Sequence, residues 1–190
     1  RQGQKHIVLP EGTDDRILTA ASQLAEDELV YLTILGDPEA IKTRATNILG
    51  LKWNEKRISI VNPANSPKYE AYAEKLYELR KSKGLELSQA KDLMLDASYF
   101  GTMMVFVGDA DGMVSGAVNT TAHTIRPSLQ FVKTKPGVST VSSVFFMLLH
   151  DRVLVYGDCA VVPKPTAEQL AEIAIPSAES AKAFGMEPKV

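Results

Sequence analysis

The sequence predicts an α/β fold with a mostly parallel sheet covered by helices on both faces. Over the first two-thirds of the chain, short apolar runs alternate with longer amphipathic stretches, and capping residues, glycine or proline separate them. Strands that alternate with helices in this way are typical of parallel sheets between two helical layers. Of the 190 residues, 45% are hydrophobic and 23% charged, as in an ordinary globular protein, which excludes a disordered or fibrous class.

Each element of the first part is predicted from a local signal. The strands are expected where short apolar runs occur, at 7–9, 30–35, 57–61 and 113–114. Helices are expected where a capping residue or proline precedes an amphipathic stretch, after Thr13 or Asp14, at Asp37-Pro38, at Ser66-Pro67 and at Ser88. Gly84 predicts the end of the helix that starts at Ser66. The run from Thr102 to Val107 fits either a helix or a strand.

The pattern changes after Pro136-Gly137. Residues 138–149 and 152–156 are rich in β-branched and aromatic side chains, and the short polar connection between them predicts paired strands. Thr166 is expected to cap a final helix. We therefore predict a first α/β domain over 1–136 and the start of a second, incomplete α/β domain over 137–190. Both ends of the chain look cut, since it lacks an initiator Met and a new strand is expected at 186–190.

Composition narrows the possible partners. A formal charge of −2 gives no general attraction to nucleic acid or membrane phosphate, and no apolar run approaches the length of a membrane span. A single cysteine, Cys159, excludes an internal disulfide and suits a reducing, cytoplasmic location. It is expected to pack as a small hydrophobic residue rather than to act as a nucleophile. No metal-ligand spacing, dinucleotide fingerprint or nucleotide phosphate loop is readable, so we expect no metal.

One stretch, residues 111–127, combines a strand, a hydroxyl-rich loop with glycine and a helix start. Ligands of open α/β sheets bind at the carboxyl ends of strands, and a helix N-terminus offers N–H groups to an anion. Arg126 adds a planar fork suited to phosphate. The alternative is structural: the threonines cap the helix and Arg126 forms a salt bridge. His123 is expected to have a capping or surface role rather than to touch phosphate.

Six segments resemble the phosphate acetyltransferase (phosphate acetyl/butyryltransferase) family, in family order. They are Leu9-Pro10-Glu11 with Asp15-Arg16, the Tyr-Glu-Leu-Arg-Lys-Ser-Lys-Gly run at 77–84, Val-Ser-Gly-Ala at 114–117, Thr-Ile-Arg-Pro at 124–127, Phe-Val-Lys-Thr-Lys-Pro-Gly at 131–137 and Tyr-Gly-Asp-Cys-Ala at 156–160. The resemblance implies a three-layer, isocitrate/isopropylmalate-dehydrogenase-like fold with the active site between two domains, present here as the N-terminal part.

The resemblance also implies reversible acetyl transfer between acetyl-CoA and inorganic phosphate, giving acetyl phosphate and CoA by direct thiolate attack. Coenzyme A is then a substrate, no cofactor is permanently bound, and the full protein is expected to be a homodimer. Arg80 falls on the arginine implicated in CoA binding, and Arg126 on the one implicated in binding the phosphate and in catalysis. The expected substrate-binding residues are Arg80, Ser115, Gly116, Thr120, Thr121, Thr124 and Arg126.

In the family an aspartate acts as the base and a serine stabilises developing charge, and both lie in a C-terminal segment that this chain lacks. We therefore expect the 190 residues alone to be inactive. Two alternatives stay open: a phosphate butyryltransferase, which differs in the acyl pocket, and a non-catalytic acetyl-CoA-binding regulatory domain of the same family.

Overall fold

The computed structural model describes residues 4–134 and 136–190, which form two compact units that divide between Val132 and Lys133. Lys135, part of one of the family-like segments, lies outside the described residues, as does the start of the expected first domain, residues 1–3. The first unit contains a four-stranded sheet with helices, and the second a two-stranded sheet and one long helix. The predicted α/β class with a parallel sheet is confirmed.

The sheet of the first unit is parallel throughout, in the order β3-β2-β1-β4. Its strands are β1 (Lys5–Leu9), β2 (Val30–Leu35), β3 (Ile58–Val61) and β4 (Gly112–Met113). β1 is central and pairs with β2 along its whole length and with β4 at Ile7 and Val8. Because the strands are parallel, their carboxyl ends share one edge of the sheet. The segments after β1 and β4 therefore emerge side by side.

Six α-helices belong to this unit as the structure describes it: α1 (Asp15–Glu26), α2 (Pro38–Thr43), α3 (Tyr69–Arg80), α4 (Leu87–Met94), α5 (Ala97–Val107) and α6 (Thr121–Pro127). Short 3-10 turns occupy Pro63–Asn65 and Lys81–Lys83, and π-helical turns Arg44–Ile48 and Ser128–Val132. Asp14 caps α1 and Asp37 caps α2, as the sequence indicated. The ambiguous run that begins at Thr102 is helical and lies in α5.

Two helix starts differ from the prediction. α3 begins at Tyr69 rather than at Ser66, because the Ser66 hydroxyl accepts from the Lys68 N–H and forms a turn ahead of the helix. α4 is capped by Glu86 rather than by Ser88. A capping box forms there: the Glu86 side chain accepts from the N3 backbone, and the Gln89 side-chain oxygen accepts from the Glu86 N–H at 2.9 Å.

Two hydrophobic clusters sandwich the sheet. Successive residues of a strand face opposite sides, and Val8 packs in one cluster while Leu9 packs in the other. The first cluster is built with α3, α4 and α5 around Phe100, and the second with α1 and α2 around Leu18. The sheet is thereby buried on both faces, which explains its continuous apolar strands.

The second unit has its own short sheet. β5 (Val144–Leu148) and β6 (Val153–Gly157) pair, as expected, and they run antiparallel; α7 (Ala167–Ala183) follows. Thr166 caps α7 in a capping box, which confirms the predicted start. Residues 186–190 carry no strand in the structure, contrary to the sequence pattern. None of the helices in the described ranges is both long and apolar enough to cross a membrane.

Candidate functional site

The loop that joins β4 to α6, residues 114–120, lies at the carboxyl edge of the sheet. It contains the Ser115 and Gly116 that the sequence singled out, and α6 carries Arg126. The segment after β1 emerges beside it, because β1 and β4 are neighbours in the sheet. This is the edge at which ligands of open α/β sheets bind.

A carboxylate from the chain itself fills the centre of this loop. Glu11 is only 5% exposed, and its side chain accepts four backbone hydrogen bonds. One oxygen accepts from Gly116 and Ala117, both at 2.9 Å, and the other accepts from Val118 at 2.7 Å and Asn119 at 2.6 Å. Four successive N–H groups that converge on one point form an anion-binding nest.

Burial alone raises the pKa of Glu11, but the four backbone N–H groups outweigh it and hold that pKa below its ordinary value. The residue is therefore an anion at neutral pH. Gly116 is predicted to bind substrate; in the structure its N–H group and those of the next three residues donate to Glu11. Sequence reasoning placed Glu11 in a family-like segment without giving it a role. The available signal was its position: Glu11 is a carboxylate two residues after β1, and the strand beside β1 leads into a loop that contains glycine.

The loop hydroxyls take mostly local partners. Thr120 caps α6 by accepting from the His123 N–H at 3.2 Å, which is the structural alternative for this residue. The Ser115 and Thr124 hydroxyls lie 3.3 Å apart, and Thr121 is an exposed first residue of α6. Ser115 and Thr124 are thus brought together, beside the loop.

His123 lies on α6 and contacts α5. Its Nε2 is 2.9 Å from Oδ2 of Asp96, whose other oxygen caps α5 by accepting from the N–H groups of Ser98 and Tyr99. The Asn119 amide donates to the Ser98 hydroxyl at 3.2 Å. These polar groups line a cleft of about 140 Å³ next to the loop. They also join the loop to the beginning of α5.

One of the two arginines predicted to bind substrate, Arg80, is linked to Tyr99 of α5 through Gln130. Arg80, at the end of α3, donates through Nη1 to the Gln130 carbonyl at 3.2 Å, and the Tyr99 hydroxyl donates to the Gln130 side-chain oxygen at 3.0 Å. Tyr99 is 5% exposed, whereas Arg126 is exposed. In the part of the chain that the structure describes, Arg126 forms no salt bridge. The structural alternative for this arginine is therefore not realised among those residues.

The positive charges of both arginines act on the pKa of Tyr99. Burial raises this pKa, and the charge of Arg126 is the strongest opposing influence; Asp96 raises it further, while the Gln130 bond and the charge of Arg80 lower it. Both guanidinium groups thus lie close enough to the phenol to act on it through space. The site residues Arg80 and Arg126, far apart in sequence, share one neighbourhood.

Other features carry less chemistry. Cys159 follows β6, and its thiol donates to the Tyr156 carbonyl at 3.1 Å. A cleft of about 560 Å³ in the second unit is lined by β6, α7 and residues 186–190, and it contains none of the predicted site residues. Among residues 4–134 and 136–190, no three histidine, cysteine, aspartate or glutamate side chains are grouped to hold a metal ion.

Comparison with known proteins gives one consistent result. The family model described as "Phosphate acetyl/butaryl transferase" matches residues 1–190. The chain is 59% identical over 187 residues to a phosphate acetyltransferase of Synechocystis sp., covering 98% of this chain and 27% of that protein. It is 57% identical over 190 residues to the phosphate acetyltransferase of Corynebacterium glutamicum, covering all of this chain and 57% of that one.

Solved structures agree. A phosphotransacetylase from Streptococcus pyogenes superimposes with a TM-score of 0.90 at 41% identity, covering 98% of this chain and 56% of that chain. The EutD phosphotransacetylase from Staphylococcus aureus gives 0.88 at 44% identity, covering 97% and 55%. The chain thus spans about half the length of these structures and of one curated relative, and about a quarter of the other. It belongs to the phosphate acetyl/butaryl transferase family.

Proposed function

We propose that the protein transfers an acetyl group reversibly between acetyl-CoA and inorganic phosphate, and that this chain binds the anionic parts of the substrates. The observation that carries the proposal is the convergence of Arg80 and Arg126 near Tyr99, with Arg126 exposed and without a salt bridge among the described residues. Family membership supports the reaction class.

Arg126 binds the phosphoryl group of acetyl phosphate. A guanidinium stays charged at any physiological pH and can bind two phosphate oxygens at once. Arg80 serves the phosphates of coenzyme A, and its bond to the Gln130 carbonyl fixes its direction. Ser115, Thr121 and Thr124 add hydroxyl donors to the same site, while Thr120 acts as a helix cap and Gly116 acts through the shape of the loop.

The reaction proceeds by direct attack. The CoA thiol loses its proton, the thiolate sulfur forms a bond to the carbonyl carbon of acetyl phosphate, and the bond from that carbon to the phosphate oxygen breaks with its electron pair leaving on phosphate. An unperturbed thiol has a pKa of about 8.5, so a base assists at neutral pH. Negative charge builds on the carbonyl oxygen and on the departing phosphate, and Arg126 stabilises the latter.

We place the base and the serine that stabilises developing charge outside these 190 residues, as the resemblance implies. The protein is then a cytoplasmic homodimer that uses coenzyme A as substrate. A butyryl donor remains the closest alternative substrate, because the family description covers both acyl groups.

The test is thioester formation from CoA and acetyl phosphate, followed by ultraviolet absorbance, with the 190-residue chain and with the full-length gene product. Turnover by the full-length protein that requires both substrates supports the proposal, and a parallel reaction with butyryl phosphate sets the acyl preference. Acetyl-CoA binding without turnover by the full-length protein favours a regulatory domain instead. If neither binding nor turnover occurs, the proposal is wrong.

A further inference from the structure

The Glu11 carboxylate has no part in the proposed chemistry, yet it is one of the most completely bonded side chains of the first unit. It is 5% exposed and accepts the N–H groups of residues 116–119 at 2.6 to 2.9 Å. A buried charge is costly unless hydrogen bonds compensate it, and here four do so. The loop and the carboxylate therefore depend on each other.

The conformation of the loop follows from this contact. Four successive N–H groups of this loop turn toward one side, and Gly116 at the start of the run has a φ of 122°, a conformation that favours glycine. Space is not the reason for this glycine, since a Cβ there would have nothing within 4 Å. Without the carboxylate, four N–H groups would lose their acceptor, and a rearranged loop in which they find other acceptors would have the lower free energy.

Two further hydrogen bonds hold the loop, and the chain then continues directly into the helix that carries Arg126. The Arg16 guanidinium donates through Nη2 to the Ala117 carbonyl at 2.6 Å. The segment after β1 therefore bonds both to N–H groups of the loop, through Glu11, and to a carbonyl of the loop, through Arg16. Asn119 donates to Ser98, the neighbour of Tyr99 on α5. α6 begins at Thr121, directly after the held segment, and the same helix carries Arg126.

We propose that Glu11 is a positioning residue for Arg126: its carboxylate fixes the loop 114–120, and the loop fixes the start and direction of α6. The role of Arg126 in anion binding rests on the proposed function, whereas the hold of Glu11 on the loop does not. Glu11 itself touches no substrate.

The test uses Glu11→Gln and Glu11→Asp in the full-length protein. Glutamine keeps the size but offers one acceptor oxygen, and its NH₂ group faces N–H groups that need an acceptor. Aspartate keeps the charge but is one methylene shorter, so it reaches fewer N–H groups and provides a second variant if the glutamine variant does not fold. Hydrogen exchange of the amides of residues 116–119 is measured first, then KM for phosphate and kcat.

We expect Glu11→Gln to accelerate exchange at these four amides about tenfold or more, and Glu11→Asp to do so by less. KM for phosphate should rise about tenfold, with a smaller change in KM for CoA, because the displaced residue is Arg126 rather than Arg80. The matched control is Asp158→Asn, which removes a carboxylate with an equal number of hydrogen bonds in the second unit. It should accelerate exchange at Val161 and Val162 and leave residues 116–119 protected.

Unchanged exchange at residues 116–119 in both Glu11 variants overturns the proposal. So does faster exchange that leaves KM for phosphate unaltered, because the loop then moves without displacing Arg126. If the wild-type protein forms no thioester, the proposed function fails, and binding of inorganic phosphate to the wild type and to Glu11→Gln replaces the KM comparison. Equal phosphate affinity, or none in either protein, then counts against positioning.

Discussion

Glu11 in the first unit and Asp158 in the second are both carboxylates that accept four hydrogen bonds, but they hold different structures together. Glu11 collects four consecutive N–H groups of one loop. Asp158 accepts from the N–H and hydroxyl of Ser143 with one oxygen, and from the N–H groups of Val161 and Val162 with the other. Glu11 thus shapes a single loop, whereas Asp158 ties the segment before β5 to the loop after β6.

The two carboxylates differ in the helix that follows the loop each one holds. The loop held by Glu11 leads directly into α6 and Arg126, whose charge acts on the buried Tyr99. The loop held by Asp158 leads through Lys164 to α7, which Thr166 caps. A carboxylate with four hydrogen bonds therefore supports a candidate binding residue in one unit and connects the two ends of a strand pair in the other. Substitutions in the two regions test whether the two carboxylates differ in this way.

The largest effect is expected for Arg126→Ala in the full-length protein. Loss of one positioned donor to developing charge typically costs about 3–4 kcal/mol, so kcat/KM for phosphate should fall about a hundredfold to a thousandfold. Arg126→Lys should recover only part of this, because an ammonium cannot bind two phosphate oxygens in one plane. Steady-state kinetics with both substrates varied measures the effect.

The matched control is Lys164→Ala, which removes an exposed cation from the loop that follows Asp158. Its kcat/KM should stay within about twofold of wild type, since an exposed charge away from a bound anion contributes little. Equal losses in the two variants would mean that general positive charge, rather than the site around Tyr99, attracts phosphate.

Stability should respond to both carboxylates. Glu11→Gln and Asp158→Asn each leave backbone N–H groups without an acceptor, and we expect each to lower the free energy of unfolding by about 2–3 kcal/mol. Urea denaturation followed by circular dichroism measures this, and only the Glu11 variant should also raise KM for phosphate. A loss below about 0.5 kcal/mol in either variant would show that water or relaxation replaces the missing acceptor there.

Acid should weaken both contacts in the same direction. Burial raises the pKa of each carboxylate, but the backbone N–H groups, with the Ser143 hydroxyl at Asp158, outweigh it and leave both pKa values below their ordinary range. The unfolded chain takes up these protons near pH 4, before the folded one does, so the stabilisation is present above that pH and is lost as the pH falls further. Each carboxylate contributes at most about 1.4 kcal/mol per pH unit to the change of the unfolding free energy with pH.

Replacing one group tests its share of this acid sensitivity. Unfolding free energies at about pH 7 and about pH 3 should differ less in Glu11→Gln than in wild type, and the same holds for Asp158→Asn. A wild-type pH dependence retained in full by both variants would assign the acid sensitivity to other carboxylates. Asp14 is the first to examine, because its bonds to Arg16 hold its pKa at about 2.

The parts of the fold that could be predicted are those with local causes. Asp37 and Thr166 were recognisable as caps, and Asp14 as one of two candidates with Thr13, because a cap lies within a few residues of the N–H groups it satisfies. At α4 the helix is capped by Glu86 rather than by the statistically better Ser88, because the Gln89 side-chain oxygen accepts a hydrogen bond from the Glu86 N–H.

The contact that shapes the candidate site has no local cause. Glu11 and Gly116 are 105 positions apart, and only the parallel pairing of β1 with β4 brings them together. The sequence predicted that Gly116 in this loop binds substrate, but it gave no sign that the loop N–H groups donate to a side chain from a distant segment. The convergence of Arg80 and Arg126 on Tyr99 depends likewise on how α3, α5 and α6 pack.

The smallest effects are expected at the glycines that accompany the two carboxylates. Gly116→Ala should lower the free energy of unfolding by about 1–2 kcal/mol, because a side chain is strained at a φ of 122° although the space around it is open. At Gly157, the neighbour of Asp158, space is the constraint: a Cβ would lie 2.5 Å from the Ser177 hydroxyl oxygen. Moving that hydroxyl breaks its bond to the Ile173 carbonyl, at a cost of about 1 kcal/mol.

The two causes can be separated by a second substitution. Ser177→Ala removes the oxygen that obstructs a Cβ at Gly157, and the next atoms are 3.5 Å away, so the double variant should lose about 1 kcal/mol less than the sum of the single ones. No neighbouring truncation can relieve Gly116→Ala, because its strain lies in the backbone. Additive losses at Gly157 and Ser177 would mean that Gly157, too, is required for its backbone. Both glycines would then be required for the same reason, and the two regions would differ only in whether the held loop leads to Arg126.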